Sequence, residues 1–209
     1  MKKHDCALFD LDGVIVDTAK FHFLAWKKIA STFNYVLTSD DNEQLKGISR
    51  SDSLQIILKM ANTVIEPSKF EKYLAQKNLD YLDFIKDLGP EDILHGIFEA
   101  LFFLNKRKVK IGLGSASKNA EVILSKLGLT SFFEIVIDGN KVNKSKPHPE
   151  VFLRGSSALG VAPEKCLVFE DSASGIISAK AAGMTAVAIG NPDKFLNEDF
   201  CYPCLLYTS

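Results

Sequence analysis

The sequence predicts an α/β fold: a Rossmann-like, doubly wound parallel sheet with an inserted α-helical cap. Three observations carry that prediction. Five short apolar runs at 6–9, 109–113, 134–137, 166–169 and 185–189 read as strands. Their unbroken apolar character suits a parallel sheet covered on both faces. Helical periodicity fills the gaps at 91–108, 118–127, 149–159 and 172–182, and strand–helix alternation is the pattern of such a sheet. The stretch between the first two strands is too long for a single crossover and is helical in character throughout.

The first strand, Cys6-Ala-Leu-Phe9, stops at Asp10. Phe21, Leu24, Ala25, Ile29 and Phe33 then recur at helical spacing, as do Leu54, Ile57, Leu58 and Ala61, until Gly89-Pro90 breaks the pattern. The expected division is a core of residues 1–16 and 89–209 and a cap of residues 17–88. Gly128 and Gly183 stand where C-terminal helix caps belong. There is no internal repeat.

With 209 residues, 46% of them hydrophobic, the chain can fill one large domain or a core with an insert. A net charge of −1 argues against nucleic acid or a membrane surface as partner. The basic start, Met1-Lys2-Lys3, is followed by too short an apolar run for a signal peptide, and no run has transmembrane length. The expected address is the cytosol. Cys6 and Cys166 fall in predicted buried strands and read as small core hydrophobes. Cys201 and Cys204 have redox-motif spacing without the βαβ context that gives it meaning, and a second pair for zinc is missing.

Asp10 and Asp12 place two carboxylates where a strand ends, a repulsive arrangement that needs cationic compensation or a shifted pKa. Ser115 follows the second strand, Lys146 sits in a Lys-Pro loop, and Glu170-Asp171 follow the fourth strand. Open α/β sheets bind ligands beyond the carboxyl ends of their strands, so these residues are expected to converge. Four carboxylates against one lysine call for a divalent cation, and all-oxygen ligands favour Mg²⁺. Ser115 and Lys146 would then hold phosphoryl oxygens. Lys118 and Asn119 open a predicted helix whose free N–H groups add an anion site. An EF-hand is excluded, because Gly13 stands fourth rather than sixth and Phe21 occupies the bidentate position. Gly112-x-Gly114 is a weak dinucleotide signal, since Ser117 replaces the third glycine. On the residues alone Lys146 also reads as a surface lysine, Arg50 as a solvated helix start and His22 as a helix-face histidine. Lys77, near Lys69, Lys72 and Lys86, also fits a solvated face, and Trp26 fits cap core.

Asp10-Leu-Asp-Gly-Val with Asp17-Thr18, Gly114-Ser-Ala-Ser-Lys-Asn119, Lys144-Ser-Lys-Pro147 and Glu170-Asp-Ser-x-x-Gly175 resemble the four motifs of haloacid dehalogenase-type phosphotransferases. Phe21-His22, Trp26, Asn42-Glu-Gln-Leu-Lys-Gly47, Ser49-Arg-x-Asp-Ser-Leu54 and Lys77-Asn78 resemble the cap of that family's sugar-phosphate mutases. The resemblance implies Asp10 as nucleophile, forming an aspartyl phosphate, and Asp12 as general acid/base. It implies Mg²⁺ on Asp10, the Asp12 carbonyl, Glu170 and Asp171. Thr18 would sit at the cap hinge. Arg50, with Ser117, Lys118 and Asn119, would grip the phosphate not being transferred. Gly47 would let the cap backbone approach the sugar, with His22, Lys77 and Ala116 completing the substrate site. The implied reaction interconverts β-glucose 1-phosphate and glucose 6-phosphate through glucose 1,6-bisphosphate, which also primes the enzyme, in a monomer. A phosphatase using the same aspartates is the alternative, and a non-catalytic phosphate-binding protein a third reading. Beyond Asp193 the sequence lacks the closing amphipathic helix usual in the family, which implies a shortened end and uncovered core surface.

Overall fold

Burial of Cys6, Ala7, Leu8 and Phe9 to complete inaccessibility makes the first strand the centre of the sheet. The computed structural model describes residues 4–191, 193 and 198–202. Its strands are β1 (Cys6–Phe9), β2 (Lys110–Gly114), β3 (Ile135–Ile137), β4 (Cys166–Glu170), β5 (Thr185–Ile189) and β6 (Phe200–Tyr202). All pair in parallel in the order β3-β2-β1-β4-β5-β6. The chain winds outward from β1 to β3, then crosses back to β4. The topological switch therefore lies between β1 and β4, where an open sheet leaves its crevice.

The helices are α1 (Ala19–Ser31), α2 (Ser39–Glu43), α3 (Arg50–Met60), α4 (Pro67–Phe84), α5 (Ile97–Lys106), α6 (Ala120–Lys126), α7 (Glu150–Leu159) and α8 (Ala173–Ala181). Ile97, Leu101, Ile123 and Leu124 of α5 and α6 pack with Phe9, Ile111, Leu113 and Val187 on one side of the sheet. Phe152 and Ile176 of α7 and α8 pack with Leu8, Val168 and Ala186 on the other. Both faces are covered, as the apolar strands require. Gly128 and Gly183 follow α6 and α8 with positive φ, as expected of caps.

The helix expected from residue 91 starts only at Ile97. Pro90–Asp92 forms a 3₁₀ turn, Ile93 pairs with Val16, and the Leu94 amide donates to the Ile15 carbonyl at 2.9 Å. Pairing with the chain beyond β1 overrides the helical periodicity there, and Gly96, in a left-handed conformation, starts the helix anew.

The insert is four helices rather than a continuous helical stretch. Trp26, Ile29, Leu37, Leu45, Leu54, Ile57 and Leu58 form an apolar cluster of their own between them. Leu24, expected on the buried stripe, is exposed. Trp26 is cap core, as its spacing predicts, and Cys6 and Cys166 are fully buried. β6 is an addition: three residues are too few to register as an apolar run. Asp199 secures this strand by accepting from the Ala186 amide at 2.8 Å and from Lys180. Cys201 lies in β6, while Cys204 and most of the segment expected to be shortened lie outside the described residues. No helix among the described residues is long and apolar enough to cross a membrane.

The cap cluster yields a stability test. Ile57→Ala, at a fully buried position, is expected to cost about 2–5 kcal/mol of unfolding free energy. A denaturant titration showing a cost under about 1 kcal/mol would contradict this packing.

Candidate active site

Three strand ends and one loop build the site. Asp10 follows β1 and its amide bonds the Phe169 carbonyl of β4 at 2.9 Å. Ser115 follows β2 with its amide on the Ile137 carbonyl, also at 2.9 Å. Glu170 closes β4. Lys146 enters from the loop between β3 and α7, where its ammonium reaches Asp10 Oδ1 at 2.7 Å and Glu170 Oε1 at 2.5 Å. Glu170 Oε2 accepts from the Ser172 amide at 3.0 Å and the Ser172 hydroxyl at 2.9 Å. Ser172 Oγ in turn caps α8 through the Gly175 amide.

Lys146, Asp10 and Glu170 are 2%, 4% and 0% exposed, so their charges face a low dielectric. Burial by itself lowers the Lys146 pKa, but Asp10 and Glu170 reverse this and hold it above the ordinary lysine value. Burial raises the Asp10 carboxyl to about 7, with Glu170 and Asp12 adding and Lys146 opposing. Asp171 is pushed well above the carboxylate range by burial and by Glu170 and Asp10. One lysine thus leaves negative charge uncompensated. Carboxylate oxygens of Asp10, Glu170 and Asp171 lie within 4.8 Å of one another. This all-oxygen, charge-rich donor set fits Mg²⁺. Gly13, at φ +83°, permits the approach: a Cβ there would lie 2.1 Å from Asp171 Oδ2.

Asp12 points to the cap side. Thr18, the residue before α1, donates its hydroxyl to Asp12 Oδ1 instead of capping the helix. His22 Nε2 lies 3.5 Å from the same oxygen, and His22 Nδ1 is 2.6 Å from Lys77 Nζ. Lys77 is only 2% exposed and lies over the rings of Trp26 and Tyr81 at 5.1 and 4.8 Å. Burial drives its pKa down to about 7, with Arg50 adding and Asp12 opposing. His22 is lowered by burial and by Lys77. Burial raises Asp12, yet His22, Thr18 and Lys77 together outweigh it and keep that carboxyl low. Asp10 and Asp12 are therefore driven apart, the usual mark of carboxylates with separate tasks.

The cap closes over this floor. Gly47, at φ +71°, lies so near α8 that a Cβ would stand 2.5 Å from both Ser172 Oγ and Ser174 Oγ. Ser174 donates to the Lys46 carbonyl at 2.8 Å, and Lys46 Nζ is 3.9 Å from Asp171. Arg50 donates to Asn78 Oδ1 at 2.7 Å, and Asn119 Nδ2 donates to that same oxygen at 3.0 Å. Between cap and core lies a cleft partly open to solvent.

Asp10, Asp12, His22, Gly47, Arg50, Lys77, Ala116, Ser117, Lys118 and Asp171 all line that cleft. Thr18, Ser115, Lys146 and Glu170 are buried beneath it. Neither Lys146 nor Lys77 is a solvated lysine. Lys118 and Asn119 precede α6 rather than open it, and the Asn119 side chain turns to the cap instead of the helix end. Lys46 and Asn78 belong to the quoted cap pattern, but sequence reasoning assigned them no role. Within the cap Lys46 pairs with Glu43 at 3.2 Å and Asn78 accepts from Arg50. Their contacts in the site, to Asp171 and Asn119, are supplied by the core, and nothing local marks them.

The haloacid dehalogenase-like hydrolase family matches residues 7–189. A beta-phosphoglucomutase of Bacillus subtilis is 43% identical over 194 residues, spanning 92% of this chain and 86% of that protein. A phosphorylated carbohydrates phosphatase of Thermotoga maritima is 30% identical over 186 residues, spanning 88% and 83%. A solved beta-phosphoglucomutase structure from Clostridium difficile superposes with a TM-score of 0.95 at 36% identity, over 99% of this chain and 93% of that one. With three strand-end motifs gathered around the Lys146 loop and the match running through all four, the chain belongs to the haloacid dehalogenase-like hydrolase family.

Proposed function

We propose that this chain is a β-phosphoglucomutase that interconverts β-glucose 1-phosphate and glucose 6-phosphate through β-glucose 1,6-bisphosphate. The observation that carries the reading is Arg50. It projects from α3 into the same cleft as Asp10, next to Asn119. A mutase must hold one phosphate while the other reacts, and a planar guanidinium suits that task. Likeness to beta-phosphoglucomutases from Bacillus subtilis and Clostridium difficile supports the choice. The Thermotoga phosphatase keeps hydrolysis as the rival.

In this mechanism Asp10 attacks phosphorus and carries the phosphoryl group. Asp12 takes the proton from the attacking sugar hydroxyl and returns it in the reverse sense. Thr18 and His22 hold Asp12 ionised and oriented for that exchange. Ser115 and Lys146 hold phosphoryl oxygens, while Arg50, Ser117, Lys118 and Asn119 bind the distal phosphate. Asp10, Glu170, Asp171 and the Asp12 carbonyl would hold Mg²⁺, which would supply charge neutralisation between carboxylate and phosphate. The bisphosphate must turn over within the cleft so that each end meets Asp10. The working division is a core of 1–16 and 89–209 and a cap of 17–88, in a monomeric cytosolic enzyme.

One assay tests this reading: Mg²⁺, β-glucose 1-phosphate and a trace of glucose 1,6-bisphosphate, with glucose 6-phosphate and free phosphate followed together. Glucose 6-phosphate without matching phosphate is expected. Phosphate without isomer would make the protein a phosphatase. In the same assay Arg50→Ala is expected to lose about 30-fold or more of isomerisation, the effect of removing one partner of a buried charge contact worth about 2 kcal/mol. Equal isomerisation by the variant would remove Arg50 from the distal site.

Lys77 predicts a second signature. Unfolded, it titrates near 10.5, and folded, near 7. Between those values the unfolded chain binds more protons, so this group makes stability rise with pH and is most destabilising below pH 7. Lys77→Met is expected to stabilise the fold by about 1–4 kcal/mol near neutral pH, with the gain fading toward pH 10.5. Thermal unfolding across that range reads it, and a pH-independent or negative change would contradict the buried-charge account. The same variant is expected to lose isomerisation.

A further inference from the structure

Several polar side-chain contacts join the cap to the core, and one of them reaches the loop that carries Lys146. Ser49 starts α3 by accepting from the Asp52 amide at 3.1 Å. In α2 the equivalent acid, Asp41, completes the cap by accepting from the Thr38 amide at 2.9 Å. Asp52 does not close its own helix that way. Its Oδ2 accepts from the Ser49 hydroxyl at 2.6 Å and from the hydroxyl of Ser145, in the core, also at 2.6 Å. Both distances are those of charge-assisted bonds from a hydroxyl to a carboxylate. Ser145 immediately precedes Lys146, the lysine bound to Asp10 and Glu170. Arg50 stands two residues before Asp52 on the same helix turn.

The core holds this loop on both sides of Ser145. Beyond it, Lys146 is held by Asp10 and Glu170, and the His148 carbonyl accepts from the Ser178 hydroxyl of α8 at 2.9 Å. Glu150 of α7 accepts from the Asn143 and Lys144 amides at 3.1 and 2.9 Å, with Arg154 bracing Glu150. Ser145 is thus where the cap reaches a segment that the core holds on either side.

We propose that the Asp52–Ser145 hydrogen bond is a latch between the cap and the Lys146 loop. Asp52 is a positioning residue that decides how much aspartyl phosphate goes to sugar rather than to water. The proposal rests on the mutase reading for its chemical consequence. With the cap docked, the cleft admits the sugar hydroxyl and excludes bulk water. With the latch gone, the cap opens more often while Asp10 carries the phosphoryl group. Water then attacks phosphorus and the acyl-phosphate P–O bond breaks. Asp10 recovers its carboxylate, and phosphate leaves with the hydroxyl of that water while the second proton goes to solvent.

Two readouts test it. Ser145→Ala leaves the α3 start intact, so its fold is expected to be unchanged. In the mutase assay it should raise phosphate released per isomer formed by about tenfold or more, the scale for loss of one hydrogen bond to a charged group. Asp52→Ala should do the same, and the double variant should be no worse than Asp52→Ala alone, because both act through one bond. Amide exchange supplies the readout that activity does not touch: Asp52→Ala, a cap substitution, should speed exchange at Asn143–Lys146 in the core. A partition ratio equal to the unsubstituted protein's, additive effects, or unchanged exchange at that loop would each overturn the latch. If the unsubstituted protein releases phosphate and forms no isomer, the mutase reading falls, and loop exchange alone still decides the latch.

Discussion

Everything in this site depends on one buried cation held between two buried carboxylates. Lys146 at 2.7 Å from Asp10 and 2.5 Å from Glu170 is what allows two acids to sit together at the end of the sheet. Removing the lysine would leave both carboxylates uncompensated in a low dielectric, which is far costlier than the intact group. The geometry follows from topology. β1 and β4 are neighbours at the switch point, so their terminal acids are forced together. The lysine must then come from a loop, because the strands on either side contribute the acids. Compensation is also incomplete by one charge or more, since Asp171 shares the cluster. Under the proposed function, a divalent cation would answer that shortfall of positive charge.

The core was legible because its signals are local. Apolar runs ended at carboxylates, and right-handed crossovers between parallel strands leave little freedom in where those ends go. Asp10, Ser115, Glu170 and Asp171 could be placed at one edge before any contact was known. The cap was legible only in outline. Its helices have ordinary amphipathic spacing, but Arg50, Lys77 and His22 have local readings as solvated residues that are equally good. What separates the readings is burial, and burial arises when helices from distant parts of the chain enclose them. Asn78, Lys46 and Asp52 show the same limit. Each meets a partner across the cap–core boundary, and nothing nearby in sequence announces it. The late start of α5 has a related cause, a tertiary bridge from Ile93 to Val16 overriding a helical pattern.

The two halves of the cleft are charged in opposite senses. The core floor carries Asp10, Glu170 and Asp171 around a single lysine. The cap wall carries Lys46, Arg50 and Lys77. Arg50 gives its hydrogen bond to the neutral amide of Asn78, and Lys77 reaches a histidine whose pKa burial has lowered. Neither spends its charge on a carboxylate at contact distance, and burial lowers the pKa of both. Such an arrangement is unfavourable for folding and favourable for an anion that enters and shares the charge. In the proposed function a sugar phosphate would supply that anion to the cap, and a divalent cation would answer the surplus on the floor. The cap and core thus complement one another least well by themselves and best with the proposed substrate and metal between them, which is how binding can be made to drive closure.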